Sequence, residues 1–340
     1  MERCLELAVR AEGRTYPNPL VGSVIVHDGV IIGEGYHLQA GKAHAEVNAI
    51  DSVKDKSLLS KSTLYVSLEP CSHTGKTPPC SNLIISYHIP RVVVGTIDTS
   101  KKVSGRGISG LRASGSEVVT GILEKECRRI NRRFFTFYEK SRPYITLKWA
   151  QSADGYIDIK RNVDHPSGPN WITGKTEQVL VHKWRAEEEA ILVGAGTIRT
   201  DKPALNVRYW KGNNPVRIIL TRSGDLKKYM TEIETAGTII AYTSKLKEDI
   251  GRAKGIKLDK NIPSSIQVVE YLNNIGIQSL FIEGGAEVIT HFIENSLWDE
   301  ARVFTGNVLF NDGIKSPSIE GNTYYEAAFE KSRLKVFLKD

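Results

Sequence analysis

The chain of 340 residues has little cysteine, only two methionines and no long apolar segment. Four cysteines are too few for a disulfide framework, so we expect reduced thiols and a cytoplasmic protein. The apolar runs fall well short of the ~18 residues of a membrane helix. The first ten residues mix charged with apolar side chains, which is unlike a secretion signal. We therefore expect no membrane partner.

The net charge of +7 is also unevenly distributed, since residues 1–143 alone carry +6. An excess of positive charge suits binding of a phosphorylated substrate or a nucleic acid. The densest cluster has helical spacing, which predicts a solvated helix face, and it consists of Arg128, Arg129, Arg132 and Arg133. No basic block alternates with aromatic residues along a strand, so we expect no nucleic-acid partner.

Short β-branched runs alternate with helical patterns along the first 140 residues. The runs Thr63–Leu68 and Arg91–Thr96 read as strands, and Asp28-Gly29 predicts a tight hairpin between two others. Such alternation predicts a three-layer α/β/α domain. The apolar pattern breaks before Pro143, where a second α/β series begins. We therefore predict two domains, 1–142 and 143–340.

The most informative residues are His44, Cys71 and Cys80, which have the donor atoms that Zn²⁺ prefers. Three protein ligands leave one tetrahedral position open for water, as in catalytic rather than structural zinc sites. Glu46 is not needed as a ligand and can pass protons to and from that water. An H-x-E element followed by P-C and a second Cys is the signature of zinc nucleobase deaminases.

The spacing of the two cysteines distinguishes between families of zinc deaminases. Common cytidine, deoxycytidylate and tRNA-adenosine deaminases have two residues between them, whereas this chain has eight, in EPCSHTGKTPPC at 69–80. That loop resembles the bifunctional deaminase/reductase of riboflavin biosynthesis. The resemblance extends to YPNPLVG at 16–22, GEGYH at 33–37 and VSGRG at 103–107.

The resemblance implies a cytidine-deaminase-like N-terminal domain with one Zn²⁺ per chain and Glu46 as the catalytic residue. It also implies that four residues orient the substrate: Asn18, His37, Lys76 and Asp98. Ser100 departs from the family pattern, which has Asn there. A hydroxyl has less reach and one donor fewer than the amide, so we expect an effect on affinity rather than on chemistry.

The second domain lacks the G-x-G-x-x-G fingerprint of dinucleotide-binding folds. Instead, a predicted strand runs into Gly284-Gly285 and then a helix, where backbone N–H groups can meet a phosphate. Residues 147–155 (LKWAQSADG), 171–174 (WITG), 182–186 (HKWRA) and 201–208 (DKPALNVR) resemble the reductase half of the same family. Lys202 departs from that family, which often has Asp or Asn there.

The resemblance implies a dihydrofolate-reductase-like α/β domain that binds NADPH. The implied cofactor contacts are Ala150, Trp171, Thr197, Asp201 and Gly285. The implied contacts to the ribose phosphate of the substrate are Arg185, Leu205, Arg208 and Glu283. Arginine suits this role, because its planar guanidinium can donate hydrogen bonds to two phosphate oxygens at once.

We therefore expect a homo-oligomeric enzyme that acts on small phosphorylated pyrimidines. It would deaminate 2,5-diamino-6-ribosylamino-4(3H)-pyrimidinone 5′-phosphate and then reduce the ribosyl side chain to ribityl with NADPH. Two alternatives remain open. One is a nucleotide or tRNA deaminase with an unrelated C-terminal domain, and the other is a non-catalytic binding protein on an enzyme scaffold.

Overall fold

The computed structural model describes residues 1–72, 78–100, 105–161, 168–222, 226, 230, 233, 235–244 and 251–339. The chain divides into two compact units, Met1–Ser141 and Arg142–Asp340. Each unit has its own sheet and its own apolar core. Within the described ranges, no helix is both long and apolar enough to span a bilayer.

The N-terminal unit is built on a five-stranded sheet with the order β2-β1-β3-β4-β5. Its strands are β1 (Gly22–His27), β2 (Val30–Tyr36), β3 (Thr63–Leu68), β4 (Arg91–Thr96) and β5 (Glu117–Thr120). Strand β1 is antiparallel to β2 and β3, while β3, β4 and β5 are parallel. Asp28 and Gly29 have φ angles of 47° and 76°, which a two-residue type I′ hairpin requires.

Six α-helices in the described part of this unit cover both faces of the sheet. They are α1 (Glu2–Ala8), α2 (Ala45–Ser52), α3 (Cys80–Ser86), α4 (Arg106–Ala113), α5 (Glu124–Ile130) and α6 (Arg132–Lys140). Helices α2, α3 and α4 bury Ala49, Ile84 and Leu111 against one face. Helix α1 buries Cys4 and Leu7 against the other. The predicted three-layer α/β/α domain is confirmed.

The C-terminal unit has a nine-stranded sheet with the order β11-β10-β9-β8-β12-β6-β13-β16-β15. These strands are β6 (Tyr144–Gln151), β8 (Ala190–Gly194), β9 (Val216–Thr221), β10 (Thr238–Tyr242), β11 (Lys254–Lys257), β12 (Ser279–Gly284), β13 (Glu300–Gly306), β15 (Asn322–Ala328) and β16 (Ser332–Leu338). The seven strands from β11 to β13 are parallel, and β16 and β15 add antiparallel pairs. A separate ribbon pairs β7 (Tyr156–Asp158) with β14 (Ile314–Lys315).

Helices cover both faces of the large sheet as well. They are α7 (Lys175–Glu187), α8 (Ala195–Asp201), α9 (Ser264–Asn274) and α10 (Ala286–Glu294). Helices α9 and α10 pack Leu272 and Phe292 into one core. Helices α7 and α8 pack Trp184 and Ile198 into the core on the opposite face. Parallel strands covered in this way are apolar on both sides, as the run Ala190–Gly194 is.

The prediction of one solvated arginine face was wrong. The arginines fall on two short helices, α5 and α6, which meet at the buried Asn131. The Asn131 side chain binds the backbone N–H and C=O of Leu20 at 2.7 and 2.8 Å, and so ties the junction to the N-terminal segment. The turn buries Arg133 to 4% exposure, where it binds Glu12 at 3.0 Å.

Candidate metal centre and reductase cleft

The three predicted zinc ligands come together at the end of β3 and the starts of two helices. His44 is the N-cap of α2, Cys71 follows β3, and Cys80 is the first residue of α3. His44 Nδ1 lies 3.5 Å from Cys71 Sγ and 3.3 Å from Cys80 Sγ. The backbone N–H of Cys80 donates to Cys71 Sγ at 3.3 Å. The three donor atoms all lie within 4.8 Å of one another.

This geometry fits a tetrahedral zinc ion. Typical Zn–S and Zn–N bond lengths place neighbouring sulfur and nitrogen ligands about 3.5 Å apart. The His44 Nδ1 distances to both sulfurs match that separation. The mixed imidazole and thiolate set suits the borderline-soft character of Zn²⁺.

The contacts among the three side chains shift their pKa values in opposite directions. The thiol of Cys80 donates to Cys71 and lowers the pKa of Cys71 to about 4. The same contact, together with burial, strongly raises the pKa of Cys80. The hydrogen bond to Cys71 raises the pKa of His44. The triad thus holds protons that a bound zinc ion would displace, because zinc ligands are thiolates and neutral imidazole.

Glu46 lies on the first turn of α2 and is 3% exposed. Burial raises the pKa of Glu46 to about 7, and the nearby charge of Cys71 adds to this shift. A general acid–base group is most effective when its pKa is near the working pH. The carboxyl is therefore suited to taking up a proton and returning it.

Two of the predicted substrate contacts adjoin this centre. The ring of His37 lies edge-on to His44, with 5.3 Å between centroids. Its Nδ1 is 3.1 Å from the Ala43 carbonyl oxygen, and its Nε2 is 3.0 Å from Asn18 Nδ2. These contacts assign a neutral ring that donates through Nδ1 and accepts from Asn18. Burial lowers the pKa of His37, which favours the same neutral form.

Asp98 follows β4 and is 6% exposed. Its Oδ1 accepts the backbone N–H of Ser100 at 2.7 Å, which closes a short turn. The backbone N–H of Asp98 donates to the carboxylate of Glu69 at 3.3 Å. Lys76, the fourth predicted substrate contact, lies outside the described residues. Sequence reasoning gave Glu69 no role, although it is part of the motif that contains Cys71.

In the C-terminal unit, a cleft with a volume of about 1460 Å³ opens beside the carboxyl ends of β8, β9 and β12. Parallel α/β sheets commonly bind ligands at this edge. All nine predicted reductase contacts line the cleft: Ala150, Trp171, Arg185, Thr197, Asp201, Leu205, Arg208, Glu283 and Gly285. The cleft is larger than the ~300–1,000 Å³ typical of a single small-molecule site, so it has room for a cofactor and a substrate together.

The N-terminus of α10 faces this cleft through Gly284 and Gly285. Gly284 has a φ angle of 127°, which a residue with a side chain rarely adopts. A Cβ atom on Gly285 would lie 3.5 Å from Thr197 Oγ1. The first N–H groups of a helix are unpaired within it and attract anions. This wall therefore fits the phosphates of a dinucleotide.

A buried ion pair occupies another wall. Arg185 on α7 donates to both carboxylate oxygens of Glu283 on β12. The distances are 2.6 Å from Nε to Oε1 and 2.7 Å from Nη2 to Oε2. Burial alone would raise the pKa of Glu283, but the charge of Arg185 holds it below its usual value. Lys148 on β6 lines the same wall, and burial lowers the pKa of its ammonium group. Sequence reasoning missed Lys148, because only the pairing of β6 with β12 brings it near Glu283.

Arg208 is exposed at the rim, where its Nη1 donates to Asn206 Oδ1 at 2.7 Å. The backbone N–H of Arg208 donates to His182 Nδ1 at 2.9 Å. Burial lowers the pKa of His182 to about 4, with the charges of Arg185 and Arg208 adding to the effect. A neutral ring is the form that can accept this hydrogen bond.

The remaining predicted contacts differ in exposure. Trp171 is 61% exposed and Leu205 is 1% exposed. Asp201 ends α8, and burial raises the pKa of its carboxyl. Arg161 lies 3.6 Å from Asp201 and pairs more closely with Asp158, at 2.8 Å.

Comparison with known protein families matches each half of the chain separately. Residues 1–96 match the cytidine and deoxycytidylate deaminase zinc-binding region. Residues 143–325 match the RibD C-terminal domain. The second match does not favour the alternative of an unrelated C-terminal domain.

Individual relatives extend over nearly the whole chain. The riboflavin biosynthesis protein RibD of Aquifex aeolicus is 40% identical and covers 92% of this chain and 88% of its own length. The RibD protein of Bacillus amyloliquefaciens is 38% identical, with coverages of 94% and 86%. The crystal structure of a diaminohydroxyphosphoribosylaminopyrimidine deaminase/5-amino-6-(5-phosphoribosylamino)uracil reductase from Thermotoga maritima superposes with a TM-score of 0.88. It is 35% identical and covers 99% of this chain and 97% of its own.

Proposed function

Because the chain belongs to the RibD family of riboflavin biosynthesis proteins, we propose that its two halves catalyse two consecutive steps, with one site in each. The chain is a zinc-dependent deaminase and an NADPH-dependent reductase. Residues 1–142 form the deaminase and residues 143–340 the reductase in this proposal. The observation that carries it is the His44, Cys71 and Cys80 cluster beside the buried Glu46.

The deaminase substrate is 2,5-diamino-6-ribosylamino-4(3H)-pyrimidinone 5′-phosphate. His44, Cys71 and Cys80 hold the metal. In a site of this kind, zinc would activate a water molecule for attack on the substrate. Glu46 accepts a proton on its carboxylate as water adds to the ring carbon that bears the amine, and it returns the proton to the departing ammonia. Asn18, His37, Lys76 and Asp98 orient the pyrimidine and its phosphate.

The reductase half then converts the ribosyl side chain of the deaminated product to ribityl. When bound, NADPH would supply a hydride to the ribosyl carbon, and solvent would supply the proton taken up by the ring oxygen as the ring opens. Ala150, Trp171, Thr197, Asp201 and Gly285 hold the cofactor. The substrate phosphate meets Arg208 at the rim, while Arg185, Leu205 and Glu283 complete the pocket for the sugar. The neutral His182 supports this role, since it fixes the backbone of Arg208.

A pair of reciprocal variants tests this division. Glu46→Gln keeps the size of the side chain and should retain zinc. It should lose deamination by a factor of about 10² to 10⁴, which is the usual contribution of general acid–base catalysis. It should still reduce the deaminated intermediate. Arg208→Ala should raise the reductase KM about tenfold or more, through loss of a charge-assisted contact, and should leave deamination intact.

One assay supplies the pyrimidinone phosphate and measures deamination, a second supplies the deaminated intermediate with NADPH and measures reduction, and both products are identified by mass spectrometry. Each variant serves as the control for the other. Normal deamination by the Glu46 variant would remove Glu46 from the proposed proton transfer. Equal loss of both activities in either variant would contradict two separate sites.

We further propose that the enzyme works in the cytoplasm as a homo-oligomer. None of the four cysteines is in a disulfide, which suits a reducing compartment. Strand β15 is the last strand in the sheet order and exposes the aromatic side chain of Tyr325, which suits contact with a second copy. Light scattering on the eluting protein would measure the oligomeric state directly.

A further inference from the structure

We infer that Glu69 is a positioning residue of the deaminase site, whose carboxylate holds the Asp98 turn and the start of α4 beside the zinc ligand Cys71. The inference rests on the proposed deaminase function, within which it adds a residue that determines how firmly the substrate is held. Among the described residues, the Glu69 carboxylate accepts hydrogen bonds from the backbone of Asp98 and of the start of α4, and from no metal ligand.

Glu69 is buried, with 4% of its surface exposed. A carboxylate removed from water in this way needs hydrogen bonds or a cation. Four backbone N–H groups provide the hydrogen bonds. Oε2 accepts from Gly105 at 2.9 Å and from Asp98 at 3.3 Å. Oε1 accepts from Gly107 at 3.0 Å and from Ile108 at 3.3 Å.

These four donors lie on two different segments of the chain. Asp98 follows β4, whereas Gly105, Gly107 and Ile108 belong to the start of α4. Glu69 follows β3 and precedes Cys71 by two residues. Its own N–H donates to the carbonyl oxygen of Thr96 at 3.0 Å. One side chain therefore fixes the ends of β3 and β4 and the start of α4 relative to one another.

The backbone is also closely packed at Gly107, where a side chain would not fit. A Cβ atom on Gly107 would lie 2.1 Å from the carbonyl oxygen of Pro70 and 3.3 Å from Glu69 Oε1. Glycine is therefore required where α4 meets the segment that carries the first zinc cysteine. The hydrogen bonds and this contact constrain the same junction independently.

The consequence for the substrate arises through Asp98. Glu69 binds the backbone of Asp98, and the Asp98 side chain in turn holds the N–H of Ser100. The turn is thus set by Glu69 and Asp98 rather than by the side chain at position 100. Ser100 can replace the Asn of the family without loss of the turn, but Glu69 cannot be replaced in the same way.

Glu69→Gln tests this directly, because it keeps the shape and removes the charge. One carboxylate oxygen becomes an NH₂ group that faces two N–H donors and can accept from neither. We expect the deaminase KM to rise about tenfold or more, as lost charge-assisted hydrogen bonds typically cost. We expect kcat, zinc content and reductase kinetics to stay close to wild type. Amide hydrogen exchange should accelerate at Asp98, Gly105, Gly107 and Ile108.

Glu117→Gln is the matched control. Glu117 is an exposed carboxylate on the same sheet, paired with Arg91 at 3.4 Å, so its amide variant should match wild type in every measurement. Gly107→Ala disturbs the same junction by contact rather than charge, and should raise the deaminase KM as well. If Glu69→Gln does not fold, Glu69→Asp carries the test, because it keeps the charge, shortens the reach to the same N–H groups and should also raise the deaminase KM.

The outcomes separate this inference from the proposed function. If wild type deaminates the pyrimidinone phosphate and the folded Glu69 variant does so with an unchanged KM, the role of Glu69 is overturned and the proposed function stands. Loss of zinc in parallel with activity would also overturn it, since Glu69 would then support the metal ligands. A wild-type enzyme that does not deaminate the pyrimidinone phosphate would contradict the proposed function itself.

Discussion

Replacing Arg185 by Met should destabilise the reductase unit and abolish its activity. Arg185 and Glu283 form a bidentate pair at 2.6 and 2.7 Å, with side chains only 11% and 9% exposed. Arg185 also donates to the carbonyl oxygen of Asn206 at 3.1 Å. Methionine fills much of the same length but leaves the Glu283 charge without its partner.

The expected magnitude follows from that burial. Removing one member of a buried ion pair typically costs about 3–5 kcal/mol. In a unit of this size each kcal/mol lowers the melting temperature by roughly 2–4 °C, so we expect a fall of about 6–20 °C. Urea unfolding followed by tryptophan fluorescence would report the loss, because Trp149, Trp184 and Trp298 are all buried in this unit.

The double variant Arg185→Met with Glu283→Gln is the control. Neutral residues of similar size often replace a buried pair at little cost. The double variant should therefore recover most of the stability lost by the single one, while reductase activity stays absent from both. A single variant that costs less than about 1 kcal/mol, the value of a surface pair, would refute the reasoning. Equal destabilisation in single and double variants would refute it as well.

Two further predictions concern the protonation of His182 and the metal. The folded pKa of His182 is about 4, below the usual 6.5, so its neutral form stabilises the fold fully above pH 6.5 and this stabilisation is lost as the pH falls toward 4. The free energy of unfolding of wild type should fall over that range by up to about 3 kcal/mol more than that of His182→Gln, and parallel pH curves in urea unfolding would contradict this. Removal of metal with a chelator should abolish deamination and leave reduction of the deaminated intermediate unchanged; zinc should restore deamination, and a chelated enzyme that still releases ammonia would argue against a zinc site at His44, Cys71 and Cys80.

The sequence was sufficient to predict the elements whose signal is local. The strands at Thr63–Leu68 and Arg91–Thr96 were predicted residue for residue, because their β-branched runs are bounded by turns. The clustering of His44, Cys71 and Cys80 was predictable because their donor types and spacing are those of a catalytic zinc site. The edge strand β15 was not predicted, because it is almost wholly exposed and its residues do not alternate between apolar and polar.

Features that depend on distant contacts could not be predicted. Asn131 breaks a helical pattern because it binds Leu20, more than a hundred positions earlier in the chain. The environment of Lys148 depends on strand order, since β12 lies beside β6 in the sheet. The hydrogen bonds of Glu69 depend on where α4 begins. In each case, tertiary contacts rather than local composition decide the role of the residue.

The chain order of the strands has a consequence for folding during synthesis. In the N-terminal unit the hairpin partners β1 and β2 are adjacent in sequence, and all three proposed zinc ligands lie within the first 80 residues. In the C-terminal unit Tyr144 at the start of β6 pairs with Ser279 at the start of β12. The centre of the large sheet therefore cannot form until β12 has been synthesised. Long-range parallel pairing of this kind is intrinsically slow. The deaminase can therefore acquire its metal while the reductase is still an incomplete nascent chain.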